Sequence, residues 1–387
     1  MTASFYTGID VLVTDRRDML AGRRIGLALH PASLLVDGQW SAERLWQDPG
    51  MDLACLLGPE HGVFGGAGAG ERVPSQPHPQ WGIPIHSLYG EHRRPTADIM
   101  ASIDVLVIDF QDLGVRCFTY VSTLFLLLNA AAEFGVPVVV TDRPIPLPDI
   151  LDGPLLDPAF ESFVAQVPLP MVYGMTQGET ALYLHALNDW DLELHVIPMR
   201  DYKSDPSRRP GGPPWVPPSP GIRSWESAWC YPATVFTEAL PSLDCGRGGP
   251  LPFQVLGAPW FSGHEAAGAL ADAGLPGVRI YPHSYFMEKE KGKRQRVDGI
   301  RLAVTDPAVF QPVTTGLTIL EALQELAGTE PMWDTPDARP GFFDQLCGTD
   351  SVRLALLDRV PVRELAEAWR IDRTDFVERR TSCRLYP

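Results

Sequence analysis

Three short polar clusters, each placed where an apolar run of strand length ends, are the residues of this chain best equipped for chemistry. Leu53-Ala54-Cys55-Leu56-Leu57 runs into Gly58-Pro59-Glu60-His61-Gly62. Val105-Leu106-Val107-Ile108 runs into Asp109-Phe110-Gln111-Asp112, with Arg116, Thr119 and Tyr120 close behind. Val138-Val139-Val140 runs into Thr141-Asp142-Arg143-Pro144. In an open parallel sheet, ligands bind beyond the carboxyl ends of the strands, so the three clusters are expected on one edge, facing one crevice. Carboxylates that share a crevice suit acid–base or nucleophilic work, because burial and mutual repulsion raise one pKa and leave the other group ionised. Glu60 with His61 is the most specific pair: Pro59 stiffens the turn, and the Gly-rich stretch 62–70 is too flexible to be a helix that Glu60 would cap. For the rest a second reading stays open. Asp109 and Asp142 can cap the helices that follow, Arg116 can neutralise a nearby aspartate, Tyr120 can be helix packing, and Asp142-Arg143 can be an ion pair inside its own turn.

Such positions require strands that alternate with helices, and the first half of the chain supplies them. Residues 24–29 read as a strand ending at His30-Pro31, and 41–47 as a short helix before the strand at Leu53. The strand 104–108 is followed by a helix over 119–134, apolar almost all round and therefore buried, which Gly135 stops. Pro137 opens the next strand, where its missing donor is tolerated. Thr176-Gln177-Gly178-Glu179 begins a helix, with Thr176 as N-cap and Glu179 at the capping-box position; residues 193–198 close the series as a strand. Continuous apolar strands between helices indicate a parallel sheet covered on both faces.

The expected fold class is therefore α/β: a Rossmann-like parallel-sheet catalytic domain over 1–202, a Pro-rich connector at 203–222, and a smaller α+β C-terminal domain over 223–387. In that second domain a strand is expected at 299–304 and helices near 316–326 and 362–369. Tyr231, Glu238 and Arg247 are its best candidates for the crevice. Trp215, Trp225, Trp229 and Trp260 suit either a sugar-stacking wall or the anchoring of loops.

Composition narrows the partners. The net charge is −16, from 32 Lys and Arg against 48 Asp and Glu. The one basic run, 289–296, reads as a solvated loop or hairpin tip, so no nucleic acid is expected. Six scattered cysteines without a C-x-x-C pair suit a reducing compartment. The N-terminus has no basic-then-apolar leader, and the apolar stretch 124–132 is too short to span a bilayer. A cytoplasmic protein with no membrane partner is expected; the oligomeric state stays open. The glycine run 62–70 lacks both the P-loop lysine and the G-x-G-x-x-G order, which disfavours nucleotide chemistry and suits a mobile lid. His30, Glu60, His61 and Asp109 have no H-x-H or H-E-x-x-H spacing, so neither metal nor cofactor is expected.

At these motifs the chain resembles the NamZ-type exo-β-N-acetylmuramidases. The resemblance rests on Gly58-Pro59-Glu60-His61-Gly62, Ser87-Leu88-Tyr89-Gly90, the segment from Asp109 to Arg116, Tyr120-Val121-Ser122-Thr123 and Asp142-Arg143-Pro144. It continues through Gly174-Met175-Thr176-Gln177-Gly178-Glu179, Pro214-Trp215-Val216-Pro217-Pro218-Ser219-Pro220 and Gly257-Ala258-Pro259-Trp260, all in the same order. It implies a glycoside hydrolase that removes a non-reducing-end β-linked amino sugar, N-acetylmuramic acid, from peptidoglycan fragments, with its site in a cleft between the two domains. The family's catalytic glutamate maps onto Glu60, with His61 beside it. For the second group, which activates water or stabilises the oxocarbenium ion, Asp109 or Asp112 is preferred. Gln111, Arg116, Tyr120, Asp142, Arg143, Glu179, Tyr231 and Arg247 are then expected to bind the sugar, the arginines because guanidinium forks suit a lactyl carboxylate. A non-catalytic sugar-binding protein and a metal-dependent hydrolase are the alternatives on the same scaffold. Three departures stand out. His30-Pro31-Ala32-Ser33 replaces an Asn-containing turn, and Asp142-Arg143-Pro144-Ile145 replaces Asp-Arg-Pro-Asn. Asp244-Cys245-Gly246-Arg247-Gly248-Gly249-Pro250-Leu251-Pro252-Phe253 replaces Ser-Glu-Gly-Arg-Gly-Thr-Thr-Arg-Pro-Phe.

Overall fold

The computed structural model describes residues 5–207, 209, 211–290 and 293–386. Its first half contains helix α1 (Gly8–Asp15), strand β1 (Arg24–Leu29), helix α2 (Ser41–Trp46) and strands β2 (Asp52–Gly58), β3 (Gln76–Pro77) and β4 (Pro84–Ser87). Helix α3 (Ala97–Ala101), β5 (Val105–Asp109), α4 (Tyr120–Phe134), β6 (Val138–Thr141), β7 (Asp152–Leu155), β8 (Pro170–Val172), α5 (Gln177–Asn188) and β9 (Leu194–Ile197) follow. Seven strands form one sheet in the order β3-β4-β2-β1-β5-β6-β9. All neighbours pair in parallel except the short edge strand β3. The chain winds outward from β1 to one side, then returns to β5 on its other side, which is the doubly wound Rossmann-like layout.

The apolar strand runs are continuous because alternate residues feed two cores. Ile25, Leu27, Val105, Val107 and Val139 pack with Ile9 and Leu12 of α1 and Leu45 of α2 on one face. Ala28, Cys55, Leu57, Leu106, Ile108, Val138 and Val140 pack under Val121, Leu124 and Leu128 of α4 on the other. Helix α4 ends at Gly135 in the left-handed region, a conformation glycine adopts without a Cβ clash. Pro137 contributes its carbonyl to the ladder, accepting from Leu106 N–H at 2.9 Å.

The second half is α+β. Helix α6 (Trp225–Thr234), strand β10 (Val255–Gly257), helix α7 (Gly263–Ala269) and the long hairpin β11 (Val278–Glu290) and β12 (Lys293–Val304) come first. They are followed by helices α8 (Pro312–Ala327), α9 (Glu330–Trp333), α10 (Pro340–Cys347), α11 (Ser351–Leu357), α12 (Val362–Asp372) and α13 (Thr374–Thr381). The strands make an antiparallel sheet in the order β10-β12-β11. The basic run 289–296 falls at the end of this hairpin, and residues 291–292 lie outside the described residues. Sequence reasoning missed much here: β10, the β11 partner of β12, and helices α6, α7, α9 to α11 and α13; in the first half it missed α1, α3, β3, β4, β7 and β8. Each is either too short or too mixed in composition to show a clean period. No helix among the described residues is long and apolar enough to cross a membrane.

The two halves are joined by a buried cation with no carboxylate partner among the described residues. The Arg116 guanidinium donates to the carbonyls of Pro154 at 3.0 Å and Leu169 at 2.5 Å, and to those of Leu346 and Cys347 at the end of α10. Burial lowers its pKa to about 10. Gly348, just beyond α10, has φ +75°, and a Cβ there would collide with that guanidinium. Arg116 was expected to bind the sugar; it instead fastens the second half of the chain to the first, with both Nη atoms on carbonyls. Replacing it with Leu leaves those carbonyls buried without donors, at about 1–3 kcal/mol each. Arg116→Leu is expected to lower unfolding stability by about 3 kcal/mol or more in a urea melt, and Arg116→Lys to recover little, because a single ammonium cannot reproduce the fork. A loss under about 1 kcal/mol for the Leu variant would show that the junction does not rest on this group.

Candidate active site

Strand β2 ends at Gly58, and the chain then turns sharply. His61 and Gly62 both adopt positive φ, +72° and +74°, and Gly62 N–H closes the turn on the Pro59 carbonyl at 2.9 Å. Non-glycine residues rarely occupy this region and do so at functional sites more often than elsewhere. The turn aims Glu60 into a cleft of about 500 Å³ between the sheet domain and the second half of the chain. There the carboxylate is nearly buried and held by two donors, the Thr119 hydroxyl to Oε2 at 2.7 Å and Gly70 N–H to Oε1 at 2.8 Å. Thr119 stands at the head of α4 and Gly70 ends the glycine run, so three segments meet on one side chain. His61 Nδ1 lies 2.9 Å from the Ala67 carbonyl. A carbonyl only accepts, so Nδ1 donates in this contact, and Nε2 is not used by it. The run 62–70 is therefore fastened at Ala67 and at Gly70 to the residues it covers.

The opposite wall comes from the second half. Tyr231, Glu238, Arg247, Phe253, Arg339 and Phe342 line the cleft. Arg247 donates to Glu238 Oε1 at 2.8 Å, and Arg339 donates to the Glu238 backbone carbonyl. The Glu238 carboxyl is raised in pKa: burial is the largest cause, Arg247 opposes it, and the charge of Glu60 adds to it. Two carboxylates thus feel each other across one cleft. Tyr231 packs edge-on to Phe253, ring centroids 5.0 Å apart, and burial holds its phenol well above the usual value. Tyr89, Arg93 and Phe163 complete the rim. The Tyr89 phenol is also raised, by burial first and then by Glu60, while Arg93 pulls the other way.

Most of the other strand-end groups do not reach this cleft. Asp109 is fully buried and takes both Arg143 Nε at 2.7 Å and Nη2 at 2.9 Å, with the Thr141 hydroxyl at 2.9 Å. Arg143 completes its fork on the Leu34 carbonyl at 2.8 Å. Asp112 accepts from Tyr173 OH at 2.9 Å and Leu113 N–H at 2.6 Å, and burial pushes it up to about 6. Asp142 accepts from the Thr176 hydroxyl, Gly178 N–H and Tyr386 OH, each at 2.7 Å, and burial pushes it up to about 6 as well. Glu179 closes the capping box on Thr176 N–H at 2.9 Å and takes Leu385 N–H at 2.9 Å with its other oxygen. The Gln111 amide donates to the carbonyls of Asp112 and Pro144. Tyr120 donates to the Pro218 carbonyl at 2.5 Å, which brings the connector against the cleft. The expected single crevice is thus divided: Glu60 and His61 face the cleft with Tyr231 and Arg247, whereas Asp109, Asp112, Gln111, Asp142, Arg143 and Glu179 hold loops together beneath it.

The shift has a physical origin at the topological switch between β1 and β5. Residues after β1 fold over that point: the Ser33 hydroxyl donates to the Asp109 carbonyl, Trp40 Nε1 donates to the His30 carbonyl at 3.1 Å, and His30 Nε2 accepts Gln111 N–H at 2.7 Å. His30 and Asp109 are therefore engaged within the fold, and no group of three or more His, Cys, Asp or Glu able to hold a metal ion occurs among the described residues. The tryptophans anchor loops. Trp215, Trp229 and Trp260 donate to the carbonyls of Ile222, Pro146 and Ser242, and Trp225 packs on Trp215 with centroids 4.4 Å apart. Arg93, Phe163 and Arg339 were not anticipated. They lie in loops or beside a helix start, where no periodic pattern marks them; Tyr89 stood in a quoted motif but without a role.

The family model described as exo-beta-N-acetylmuramidase NamZ, N-terminal, matches residues 25–226, and its C-terminal counterpart matches residues 229–386. The peptidoglycan beta-N-acetylmuramidase NamZ of Bacillus subtilis (strain 168) is 34% identical over 381 residues, covering 98% of this chain and 91% of that protein. Two crystal structures of DUF1343 family proteins from Bacteroides fragilis NCTC 9343 share the fold. One has a TM-score of 0.92 at 30% identity over all of both chains; the other has 0.78 at 25% identity over 99% of each. Matched in both halves and nearly end to end, the chain belongs to the exo-β-N-acetylmuramidase NamZ family.

Proposed function

We propose that this chain is an exo-acting glycoside hydrolase that removes β-linked N-acetylmuramic acid from the non-reducing end of peptidoglycan fragments. The observation that carries the reading is a pair of carboxylates in different electrostatic settings, Glu60 and Glu238, on opposite walls of one cleft. Glu60 is held by two hydrogen bonds, from the Thr119 hydroxyl and Gly70 N–H. Glu238 is pushed toward its protonated form by burial and by Glu60. Glycoside hydrolysis needs this division: one carboxylic acid to protonate the leaving oxygen, and one carboxylate on the anomeric side. In our assignment Glu238 gives its proton to the glycosidic oxygen as the C–O bond breaks. Glu60 then supports the oxocarbenium-like carbon, either directly or by activating water. His61 fixes the covering loop and offers Nε2 to a sugar hydroxyl. Asp109 and Asp112, the earlier choices for the second group, are replaced by Glu238 because their oxygens are occupied by Arg143, Thr141, Tyr173 and Leu113. All six cysteines are free and buried, which supports work on imported fragments in a reducing cytoplasm.

Glu60→Gln keeps the size of the side chain and removes its charge. It is expected to lower kcat on a nitrophenyl N-acetylmuramide by about 100-fold or more, with the parent preferring that substrate to the matching N-acetylglucosaminide. Near-normal turnover by the variant would end the assignment of Glu60.

Glu238 acts as an acid only while protonated, so kcat/KM is expected to fall as pH rises through its elevated pKa. Because Arg247 lowers that pKa, Arg247→Met should move the alkaline limb to higher pH. Glu238→Gln should lose roughly 100-fold or more on a disaccharide, whose leaving alcohol needs the proton, and far less on a dinitrophenyl glycoside, whose leaving group does not. Equal losses on the two substrates, or an alkaline limb that Arg247→Met leaves in place, would move the acid to another residue.

A further inference from the structure

The anion-reading arginine of this cleft is not among those the sequence suggested. Arg116 and Arg143 are buried and engaged. Arg247 is paired with Glu238, and Arg339 donates to the Glu238 carbonyl and lies over Phe342, 4.8 Å from the ring centroid. Arg93 is different. Its guanidinium carbon sits 3.9 Å from the ring centroid of Phe163 and 4.5 Å from that of Tyr89, and among the described residues no carboxylate is paired with it. It is exposed and lines the cleft. Contact with two rings orients the guanidinium plane through cation–π attraction; the Tyr89 phenol takes part of its N–H edge, and the exposed remainder can meet a planar acceptor.

Its place relative to Glu60 is defined by Tyr89, whose phenol feels both the Glu60 carboxylate and the Arg93 cation. The segment is anchored as well, since Val73 N–H donates to the Tyr89 carbonyl at 3.0 Å. A sugar with its anomeric carbon at Glu60 carries the substituent on C3 two ring atoms further on. In N-acetylmuramic acid that substituent is a lactyl ether ending in a carboxylate; in N-acetylglucosamine it is a hydroxyl. We propose that Arg93, held on Tyr89 and Phe163, binds the lactyl carboxylate and is the residue by which this protein separates the muramic from the glucosamine sugar. The inference rests on the function proposed above and names the group that recognises its substrate. A bidentate guanidinium–carboxylate contact adds orientation as well as affinity.

The test crosses one enzyme change with one substrate change. Parent and Arg93→Gln are assayed on a nitrophenyl N-acetylmuramide and on the same glycoside with its lactyl carboxylate converted to a neutral amide. Arg93→Gln is expected to lower kcat/KM on the acid by roughly 10- to 100-fold, mostly through KM. On the amide, parent and variant should differ by less than about threefold, because the two changes remove the same contact. Arg93→Lys should recover part of the loss on the acid but not the preference for a planar anion. Equal losses on acid and amide would mean a merely structural role, and an unchanged rate on the acid would mean no role; either result overturns the proposal. So would a charge-specific loss found in Arg339→Gln and absent from Arg93→Gln. If the parent cleaves neither glycoside, the proposed function fails. Calorimetric titration with free N-acetylmuramic acid and N-acetylglucosamine then decides Arg93 alone. Binding of the acid that Arg93→Gln weakens selectively supports the assignment; binding that it leaves unchanged, or no preference for the acid in the parent, removes it.

Discussion

A carboxylate withdrawn from water has to be met by donors, and at Glu60 that requirement ties the architecture together. One donor is the Thr119 hydroxyl at the head of α4, the other the Gly70 N–H at the end of the glycine run. Helix α4 is held in place by Val121, Leu124 and Leu128 packing on the sheet. The glycine run is held by His61 through the Ala67 carbonyl. Tyr120, the residue after Thr119, reaches the Pro218 carbonyl and so brings the connector to the same point. The left-handed turn at His61 and Gly62 is what lets one side chain sit where all three segments meet.

Beneath the cleft, the same residue types serve a different purpose. Asp109 with Arg143 is a nearly solvent-free ion pair. Such a pair adds little net stability against apolar packing, but removing one partner commonly costs about 3–5 kcal/mol because a charge is left unmatched. Asp142 gathers donors from the start of α5 and, through Tyr386, from the last described residue of the chain. Arg384, paired with Asp149, fastens the same tail. The strand-end carboxylates therefore sort by what they meet. Asp109, Asp112 and Asp142 meet only groups away from the cleft and organise loops, while Glu60, with a donor on each oxygen, and Glu238 line the open cleft.

That sorting explains what was legible in the sequence. Strands β1, β2, β5, β6 and β9 and helices α4 and α5 could be read because an apolar run and a cap are local signals: Gly135 ends α4, and Thr176 with Glu179 opens α5. Glu60 and His61 could be singled out because Pro59 and the glycines around them leave few conformations. The fate of Asp109 could not be read, since Arg143 lies 34 positions away and the Ser33 loop 76 positions away. Glu238 could be noted only as a candidate, because its pairing with Glu60 exists only once the two halves are docked. Arg93 carries no local mark at all: its significance comes from Tyr89 and Phe163, which fold around it from different loops.

The charge balance bears on how such a cleft works. With a net charge of −16, the molecule as a whole repels an anionic sugar, and its acidic surface cannot steer one in from a distance. Salt limits that repulsion, since the Debye length at physiological ionic strength is about 8 Å. Attraction within the cleft must then come from cations held a few ångströms from the ligand. Arg247 is largely balanced by Glu238, which it also restrains from full protonation, and Arg339 is partly engaged by the Glu238 backbone. A guanidinium resting on aromatic rings is a different solution. The rings orient the cation without neutralising it, as a carboxylate partner would, and leave its full charge available to a bound anion. An acidic enzyme for an acidic sugar therefore needs short-range recognition, with the reading cation and the reacting carboxylates set by the same small group of loops.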